Sequence, residues 1–576
     1  MRIQKWIQYG VVIGLLAVSC SQIPVQEMDE NDIQFVTQDP VSTATPFQPG
    51  NPIDIGADET TSQVDATSLP TEFTEDMAML SLGISPEVPK YIYQEISVGK
   101  NIEIVEDLTT ADIVLKLDES CEDPSFAVLV LAAPFPTVID GVALQQIEQA
   151  WAQPQAVFND LPILMDQDTY HLLQTEWGKP SQDAVQIESA TNLVTIAWDS
   201  GQFAILPFHL LTARWKVIQI DGMSSLDRET PNAKLPLSFG FCLSKVDTGD
   251  VIPIHSAETI QGLRSNRETE LLTSVTMTGV TALVRAIADR MESNGILYPA
   301  EKIRNLLLSS DFTHISNEVA FDSNCPTPNP YQTDLRFCSS PKYIELLDYL
   351  DIDIIELTGN HIQDYGREPF VETLSLYETG GYSFFGAGRN LNDAKEPLLI
   401  EHNGNQIAFL GCNAVGPPGA WATDTLSGNV PCGDYSWIEQ KTMDLTADGY
   451  LVIVTLQHNE FYGMMKTGPQ IRDFNPLAQA GAVIVSGSQA HYPQPFGFEG
   501  DHFIHYGLGN LFFDQMDAYV AAGIQRQFVD THYFYDGQYI STQIHTLYLE
   551  NFSQPRIMTP EERHLFLEEA FKASGW

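Results

Sequence analysis

Basic residues are scarce in this sequence: 29 Lys and Arg stand against 76 Asp and Glu in 576 residues, which gives a net charge of −47. A surface this acidic repels nucleic acid and anionic lipid headgroups, so neither is expected as a broad partner. It repels a polyanionic substrate in the same way. Any anion that this protein handles therefore needs a local cation, either a bound metal ion or a few Arg and Lys side chains.

Long hydrophobic runs are also missing, and no stretch after the N-terminus is long and apolar enough for a transmembrane helix. Residues 1–20, MRIQKWIQYGVVIGLLAVSC, are typical of a signal peptide, because Arg2 and Lys5 precede a short apolar stretch. That stretch ends in Ala-Val-Ser-Cys, which resembles a bacterial lipobox and predicts lipid attachment at Cys20. A plain secretory signal with an incidental cysteine is the alternative.

Residues 21–71 are rich in Pro, Thr, Ser, Asp and Gln. Such a composition cannot bury a core, and it predicts a disordered tether. A lipid on Cys20 followed by this tether predicts an extracytoplasmic protein that is lipid-anchored to the bacterial cell membrane.

Cysteine is scarce too, with 7 in the chain, and no C-x-x-C spacing occurs, which argues against a thiolate metal site. An extracytoplasmic compartment permits disulfides, and the six cysteines after Cys20 allow fifteen pairings. Buried free thiols are the less favoured alternative. Proximity in the sequence favours Cys325 with Cys338 and Cys412 with Cys432, which leaves Cys121 with Cys242.

Residues 72–255 are predicted to form a smaller α/β domain. ADIVLKL, FAVLVLAAPFPTV, NLVTIAWD and FAILPF are predicted strands, and GVALQQIEQAWA has helical spacing. Strands that alternate with helices are typical of α/β domains. The order of strand, APFPT and helix resembles a lobe of the periplasmic solute-binding proteins, although no residue names a ligand. A docking or spacer domain without a ligand is the alternative.

Residues 265–550 are predicted to form a second α/β domain, in which polar residues follow several strands. LLTSVTMTG, DFTHIS, DIDIIELT, YLVIVTLQ and AVIVSGSQ are the predicted strands. Ligands of open α/β sheets bind beyond the carboxyl ends of the strands. One crevice is therefore predicted from the residues that follow these strands: Glu318, Asn360, His361, His458, Glu460 and His491.

Carboxylate, amide and imidazole groups are suitable ligands for a divalent cation, which would sharpen the acidity of a bound water. Each residue also has a simpler interpretation. A histidine after a strand commonly caps or hydrogen-bonds, Asn360 suits a left-handed turn, and Glu460 beside His458 suits a solvated pair. The crevice prediction depends on their convergence.

Four segments carry a family resemblance: LTGNHIQDYG, GAGRNLNDA, LQHNEFY and AGAVIVSGSQAHYPQPFGFEGDHFIHYGLGNLFFD. Over roughly residues 270–520 they resemble the CapA family of poly-γ-glutamate capsule biosynthesis proteins. The resemblance implies an α/β sandwich related to the calcineurin-like metallophosphoesterases. It also implies a part in the synthesis or export of poly-γ-glutamate or another capsule-type polymer at the cell surface.

The resemblance carries over to individual positions, with two departures. Asn360-His361, His458 with Glu460, Asn317-Glu318 and the Tyr506–Asn510 segment match family motifs, and His491 keeps the last histidine of a Gly-His-His-Pro-His element. Val280 stands where the family has a carboxylate, and Gln489 stands where it has an imidazole. Valine cannot bridge two cations, so a full dinuclear centre is not expected.

The resemblance, together with the positions of the residues after the strands, predicts their roles. Asn360, His361, His458 and His491 are the catalytic candidates, and Thr281, Arg285, Asn317, Glu460 and Gln489 are the substrate-binding candidates. The implied cofactor is one divalent metal ion, and a metal-free crevice is the alternative. The implied ligands of the ion are Glu318, His361, His458 and His491.

Two functions remain open at this point. One is a metal-assisted hydrolase or transferase that acts on a phosphoester or on the amide links of a glutamate polymer. The other is a non-catalytic protein that binds an anionic polymer or a cell-wall component. Residues 551–576 are predicted to be a helical tail, in which Thr559, Pro560 and Glu562 form the helix start.

Overall fold

The computed structural model describes residues 79–246, 251–252, 260–515 and 523–576. Residues Asp76–Trp576 form one compact unit. The predicted signal peptide, Cys20 and the tether lie outside the described residues, so these three remain predictions. Within the described ranges, no helix has the length and apolar character that crossing a membrane requires.

The N-terminal part contains a ten-stranded mixed sheet, in which Ser238–Lys245 runs antiparallel to both of its neighbours. Trp215–Val217 pairs with Ser125–Pro134, and Val251–Ile252 pairs with Ser238–Lys245. The sheet packs against the helices Leu144–Ala152, Gln167–Trp177 and Leu193–Ser200. The α/β prediction is confirmed for this part. On one side of Ser238–Lys245, the strands from the edge inwards are Ile102–Val105, Leu80–Ile84 and Ile113–Leu117. On its other side, the strands from the centre outwards are Ser125–Pro134, Ala204–Pro207, Ile163–Met165 and Val185–Ile187.

One predicted strand in this part is wrong: NLVTIAWD forms the helix Leu193–Ser200. Leu193 and Ala197 are buried, and they are four residues apart, which places both on one face of a helix. Gly201, in the left-handed conformation (φ 73°), ends the helix. An apolar run of this length does not distinguish a buried strand from a buried helix, which explains the error.

The C-terminal part is built on two further sheets. The central strand of the first sheet is Leu272–Thr281, and the central strand of the second is Leu451–Gln457. The first sheet has eight strands, namely Ser383–Phe385, Ile354–Glu356, Phe312–Asn317, Leu272–Thr281, Arg526–Tyr535, Gln538–Glu550 and Gln554–Ile557 in order, with Asn510–Phe512 beside Leu272–Thr281. The second has six, namely Leu398–His402, Asn405–Asn413, Leu451–Gln457, Ala482–Ser488, His502–His505 and Phe496–Glu499.

These two sheets face each other across a shared core. Val275 and Ile354 of the first sheet lie in one buried cluster with Ile407, Ile453 and Ile484 of the second. Other clusters join the outer face of each sheet to its helices. The predicted α/β sandwich is therefore confirmed. Helices Arg285–Asn294, Ile344–Tyr349 and Arg367–Gly380 pack on the first sheet, and Ser436–Ala447 and Gly468–Gln479 pack on the second.

The C-terminal helix Pro560–Ser574 begins as its sequence predicts. The Thr559 hydroxyl accepts a hydrogen bond from the Glu562 backbone N–H, and the Glu562 side chain accepts one from Thr559 N. Phe566 and Phe571 lie in the core that the two sheets share. This segment is thus an integral part of the sandwich.

The three cysteine pairs favoured by the sequence are confirmed as disulfides: Cys121–Cys242, Cys325–Cys338 and Cys412–Cys432.

A charged contact joins the N-terminal part to the C-terminal helix. Arg563 donates two hydrogen bonds to the carboxylate of Asp140, at 2.6 and 2.7 Å. The Lys216 ammonium lies 2.8 Å from the same carboxylate and donates to the carbonyl oxygen of Thr137. Because the side chain of Asp140 is 48% exposed, solvent screens this network and limits its contribution to stability.

The change Asp140→Asn is expected to lower the free energy of unfolding near neutral pH by on the order of 1 kcal/mol. Burial raises the pKa of Asp140, but Arg563 and Lys216 lower it more, to about 2. Since this pKa lies below the unfolded value of about 3.9, the contribution is complete above that value and is lost as the pH falls towards 2.

Urea unfolding of the wild type and Asp140→Asn at several pH values measures this effect. The stability difference should shrink steadily below about pH 4. A difference that stays constant with pH would contradict the assignment.

Candidate functional site

Strands of both sheets end at one rim of the sandwich, where their polar residues meet. The Gln457 side chain, at the end of its strand in the second sheet, donates to Glu318 Oε1, which follows a strand of the first sheet, at 2.8 Å. Gln457 also donates to Asn360 Oδ1 at 3.2 Å. The structure therefore places Glu318 and Asn360 in one crevice.

Glu318 lies at the centre of this crevice and is 1% exposed. Its Oε2 atom is buried and has no hydrogen-bond partner among the described residues, and it lies 4.0 Å from His491 Nε2. A Cβ at Gly359 would lie 2.5 Å from the Cα of Glu318, so glycine is needed for this close approach. A buried carboxylate oxygen that accepts no hydrogen bond costs free energy. A ligand that donates a hydrogen bond to Oε2 would therefore bind favourably at this point.

His491 faces Glu318 with a defined ring nitrogen. Its Nδ1 lies 2.8 Å from Asn510 Oδ1, while Asn510 Nδ2 donates to the His491 carbonyl oxygen. The Asn510 oxygen can only accept, so Nδ1 carries a proton, and in the neutral ring Nε2 is left as an acceptor. This Nε2 lies 3.9 Å from Glu460 Oε1. The backbone of His491 is in the left-handed region (φ 45°), a conformation that clusters at functional sites.

His361 lies beside this group. Its Nδ1 is 2.7 Å from Asp364 Oδ2. Burial lowers the pKa of His361, but Asp364, Glu318 and Glu460 raise it more, so the pKa lies above its ordinary value. At slightly acidic pH, the imidazole of His361 is therefore protonated and places a positive charge among the carboxylates of the crevice.

Gln489 and Glu460 complete the crevice. Gln489 Nε2 lies 3.5 Å from Glu460 Oε1, and Gln489 Oε1 is buried without a partner among the described residues. Glu460 Oε2 accepts a hydrogen bond from Tyr462 at 2.6 Å. Six of the predicted residues thus come together: Glu318, Asn360, His361, Glu460, Gln489 and His491.

Other predicted residues make contacts outside this group. His458 Nε2 pairs with Asp473 at 2.9 Å, and its ring packs on Phe474. Asn317 donates to the Tyr377 hydroxyl at 2.7 Å, towards the outer helices. These two contacts favour structural roles for His458 and Asn317.

Thr281 and Arg285 follow the first strand. Thr281 is 1% exposed, and its carbonyl oxygen accepts a hydrogen bond from Glu318 N at 2.9 Å. Arg285 forms an ion pair with Asp514 at 2.8 Å and lies over the rings of Phe337 and Phe513. Thr281 therefore supports the crevice through its backbone, and the charge of Arg285 is balanced within the protein.

The described residues do not fit the implied metal ion. Among them, no group of three or more His, Cys, Asp or Glu side chains is arranged to hold a cation. Val280 is fully buried where the family has a carboxylate, and His458 is paired with Asp473. Three of the four predicted ligands, Glu318, His361 and His491, thus lie in the crevice, whereas His458 lies outside it.

A buried network of polar side chains lies behind Glu318, and it was not predicted from the sequence. The Ser488 hydroxyl lies 2.9 Å from both Gln457 Oε1 and Glu356 Oε1, and His314 Nε2 lies 3.4 Å from Glu356 Oε2. This chain of polar contacts runs from the interior of the sandwich to the crevice. The signal was present for Glu356, because an acidic residue interrupts the apolar run DIDIIEL.

Solved structures show weak likenesses to this chain. A putative 5'-nucleotidase from Staphylococcus aureus is 11% identical with a TM-score of 0.31, over 52% of this chain and 58% of that protein. An ABC-type phosphate transport receptor from Vibrio cholerae is 12% identical with a TM-score of 0.24, over 30% of this chain and 88% of that protein.

Two proteins are similar to this chain in sequence, and both are named for capsule or PGA biosynthesis. The capsule biosynthesis protein CapA of Bacillus anthracis is 25% identical over 256 residues, which cover 43% of this chain and 62% of the relative. The PGA biosynthesis protein CapA of Bacillus subtilis is 23% identical over 245 residues, which cover 42% of this chain and 63% of the relative. The match spans less than two thirds of either relative.

A family model described as the bacterial capsule synthesis protein PGA_cap matches residues 274–515. The matched range contains the crevice and all four motif segments that resemble the CapA family. The resemblance is therefore confirmed: residues 274–515 match the PGA_cap model of bacterial capsule synthesis proteins, and two similar relatives are named CapA.

Proposed function

We propose that this protein takes part in the synthesis or export of poly-γ-glutamate or a similar capsule-type polymer, and that the crevice binds amide or amino groups of that polymer. The names of the two CapA relatives support the polymer class. One observation carries the binding mode: Glu318 Oε2 is a buried acceptor without a donor among the described residues.

The chemistry of the crevice matches one side of such a polymer. Glu318 Oε2 and Gln489 Oε1 are buried acceptors without partners in the described part of the chain. A γ-linked glutamate chain offers one N–H donor at each link and an ammonium group at one end. Its carboxylates are repelled by Glu318 and Glu460, so the crevice accepts the N–H groups and excludes the carboxylates.

The proposed location is the outer side of the cytoplasmic membrane, with a lipid on Cys20 as the anchor. The signal-like residues 1–20 support this location. The three disulfides support it as well, since such bonds persist in oxidising compartments.

A second candidate function is acyl transfer or hydrolysis at the amide links. His491 favours it, because Asn510 fixes its tautomer and leaves Nε2 as an acceptor 4.0 Å from Glu318 Oε2. A water or amine held by Glu318 would then have a general base beside it.

Calorimetric titration of the full chain with a short γ-linked glutamate oligomer tests the proposal. Glu318→Gln should weaken binding by about 10- to 100-fold, because hydrogen bonds to a charged group contribute about 1.5–3 kcal/mol. Glu345→Gln is the matched control, since Glu345 is exposed on the helix Ile344–Tyr349. Equal affinities of the two variants would refute the binding mode.

Chain-length analysis of the oligomer after incubation separates the two candidate functions. Shortening or transfer by the wild type that disappears in His491→Gln supports the enzyme. Binding without any change in chain length supports a binding protein.

A further inference from the structure

A small pocket lies next to the crevice, behind the loop that the Cys325–Cys338 disulfide closes. Its volume is about 40 Å³, which is enough for a carboxylate-sized group and too little for a sugar ring. Side chains of Arg285, Arg336, Phe337 and Tyr365 line it. Phe337 also packs edge-on against His361 at 4.8 Å, so the pocket and the crevice share this wall.

The charge of this pocket is opposite to that of the chain. Among the described residues, two arginines line it and no Asp or Glu does, although the net charge of the protein is −47. Arg285 is neutralised by Asp514. Arg336 is exposed and forms no ion pair within the described ranges, so it supplies the net positive charge.

Contacts with Asp364 and Tyr365 hold the guanidinium of Arg336, and one of its nitrogens remains available to a ligand. Its Nε and Nη2 donate to the Asp364 carbonyl oxygen at 3.2 and 3.0 Å, and its guanidinium lies 4.8 Å above the ring of Tyr365. No hydrogen-bond acceptor in the described residues occupies Nη1. A guanidinium that is stacked and partly bonded loses little freedom when it binds an anion.

The loop that carries Arg336 is also fixed to the crevice. Asp364 Oδ2 accepts from Phe337 N at 2.8 Å and lies 2.7 Å from His361 Nδ1. The disulfide restrains the other side of the loop. These contacts restrain the backbone on both sides of Arg336 and place it beside His361.

We propose that this pocket is a carboxylate-binding subsite, in which Arg336 pairs with one carboxylate group. Guanidinium groups bind carboxylates through charge-assisted hydrogen bonds, and neighbouring aromatic rings strengthen the site. The identity of the ligand as a glutamate polymer rests on the proposed function, while the preference for a carboxylate rests on the pocket alone. The pocket would hold a side carboxylate of the polymer while the crevice holds an N–H group.

Glutarate is a suitable probe, because it has the carboxylates of the polymer but no N–H group. Calorimetric titration of the full chain at low, fixed ionic strength should show binding, and Arg336→Gln should weaken it at least about tenfold. Arg290→Gln is the matched control, because Arg290 is exposed on the helix Arg285–Asn294. Arg336→Lys should recover only part of the affinity, since lysine lacks the planar fork.

The outcomes separate the subsite from the proposed function. Glu318→Gln should not weaken glutarate binding, because it removes a charge that repels carboxylates, while it should weaken oligomer binding. If Glu318→Gln leaves the oligomer unaffected and Arg336→Gln still weakens glutarate binding, the subsite stands and the crevice proposal fails. The subsite is refuted if glutarate does not bind, if inorganic phosphate binds and glutarate does not, or if Arg336→Gln and Arg290→Gln bind glutarate equally.

Discussion

Replacement of Glu356 by alanine is expected to lower the free energy of unfolding by about 3–5 kcal/mol, because it removes one member of a buried charged network. Glu356 is 1% exposed, inside the sandwich. Its carboxylate accepts from the Thr358 hydroxyl and from Ser488 at 2.9 Å. Without it, the Thr358 hydroxyl would lose its acceptor, the Ser488 hydroxyl would keep only Gln457 Oε1, and a cavity would remain.

The charge state of Glu356 strengthens this expectation. Burial raises its pKa, but His314, Thr358 and Ser488 lower it more, so the pKa lies below the ordinary value for glutamate. The carboxylate is thus ionised at neutral pH and stabilised by the groups around it. Its loss removes a complete set of contacts at once.

Urea unfolding followed by tryptophan fluorescence measures the effect of Glu356→Ala, with Glu345→Ala as the exposed control. Glu345→Ala should change the free energy of unfolding by less than about 0.5 kcal/mol. A loss below about 1 kcal/mol in Glu356→Ala would show that the network contributes little to stability.

The convergence of polar residues at the strand ends was predictable from the sequence. The strands Phe312–Asn317 and Ala482–Ser488 are recognisable in the sequence, and the residues that follow them, Glu318 and His491, come together as expected. This part of the prediction depends only on where the strands stop.

The direction of each side chain was not predictable. Gln457 and His458 are adjacent, and Gln457 contacts Glu318 whereas His458 contacts Asp473 on the helix Gly468–Gln479. Neighbouring residues at a strand end point to opposite faces, so an error of one residue exchanges a crevice group for a structural one. The family resemblance favoured His458 as the functional member of this pair.

Contacts between residues far apart in the sequence were also not predictable. Arg285 is neutralised by Asp514, which lies 229 residues later, and no local pattern indicates that pairing. The same holds for Arg336, whose role depends on the turn around Asp364. Sequence periodicity locates elements, while such contacts depend on how the elements pack.

The change Phe135→Ala is expected to destabilise the protein by about 3–5 kcal/mol and to loosen the contact between the N-terminal part and the sandwich. Phe135 follows the strand Ser125–Pro134 and is 2% exposed. Its ring lies 5.5 Å from Phe496 and 5.3 Å from Phe503, both in the second sheet of the sandwich. Removal of this ring would leave a cavity at the junction that the surrounding aromatic side chains cannot fill.

Phe158→Ala is the matched control, since Phe158 is 1% exposed and packs against Phe203 within the N-terminal core. Both variants should lose similar stability. Only Phe135→Ala should speed hydrogen exchange in the strands Phe496–Glu499 and His502–His505, because of the two substituted rings only that of Phe135 packs on these strands. Equal exchange of these strands in the two variants would show that the aromatic ring of Phe135 does not hold the two parts together.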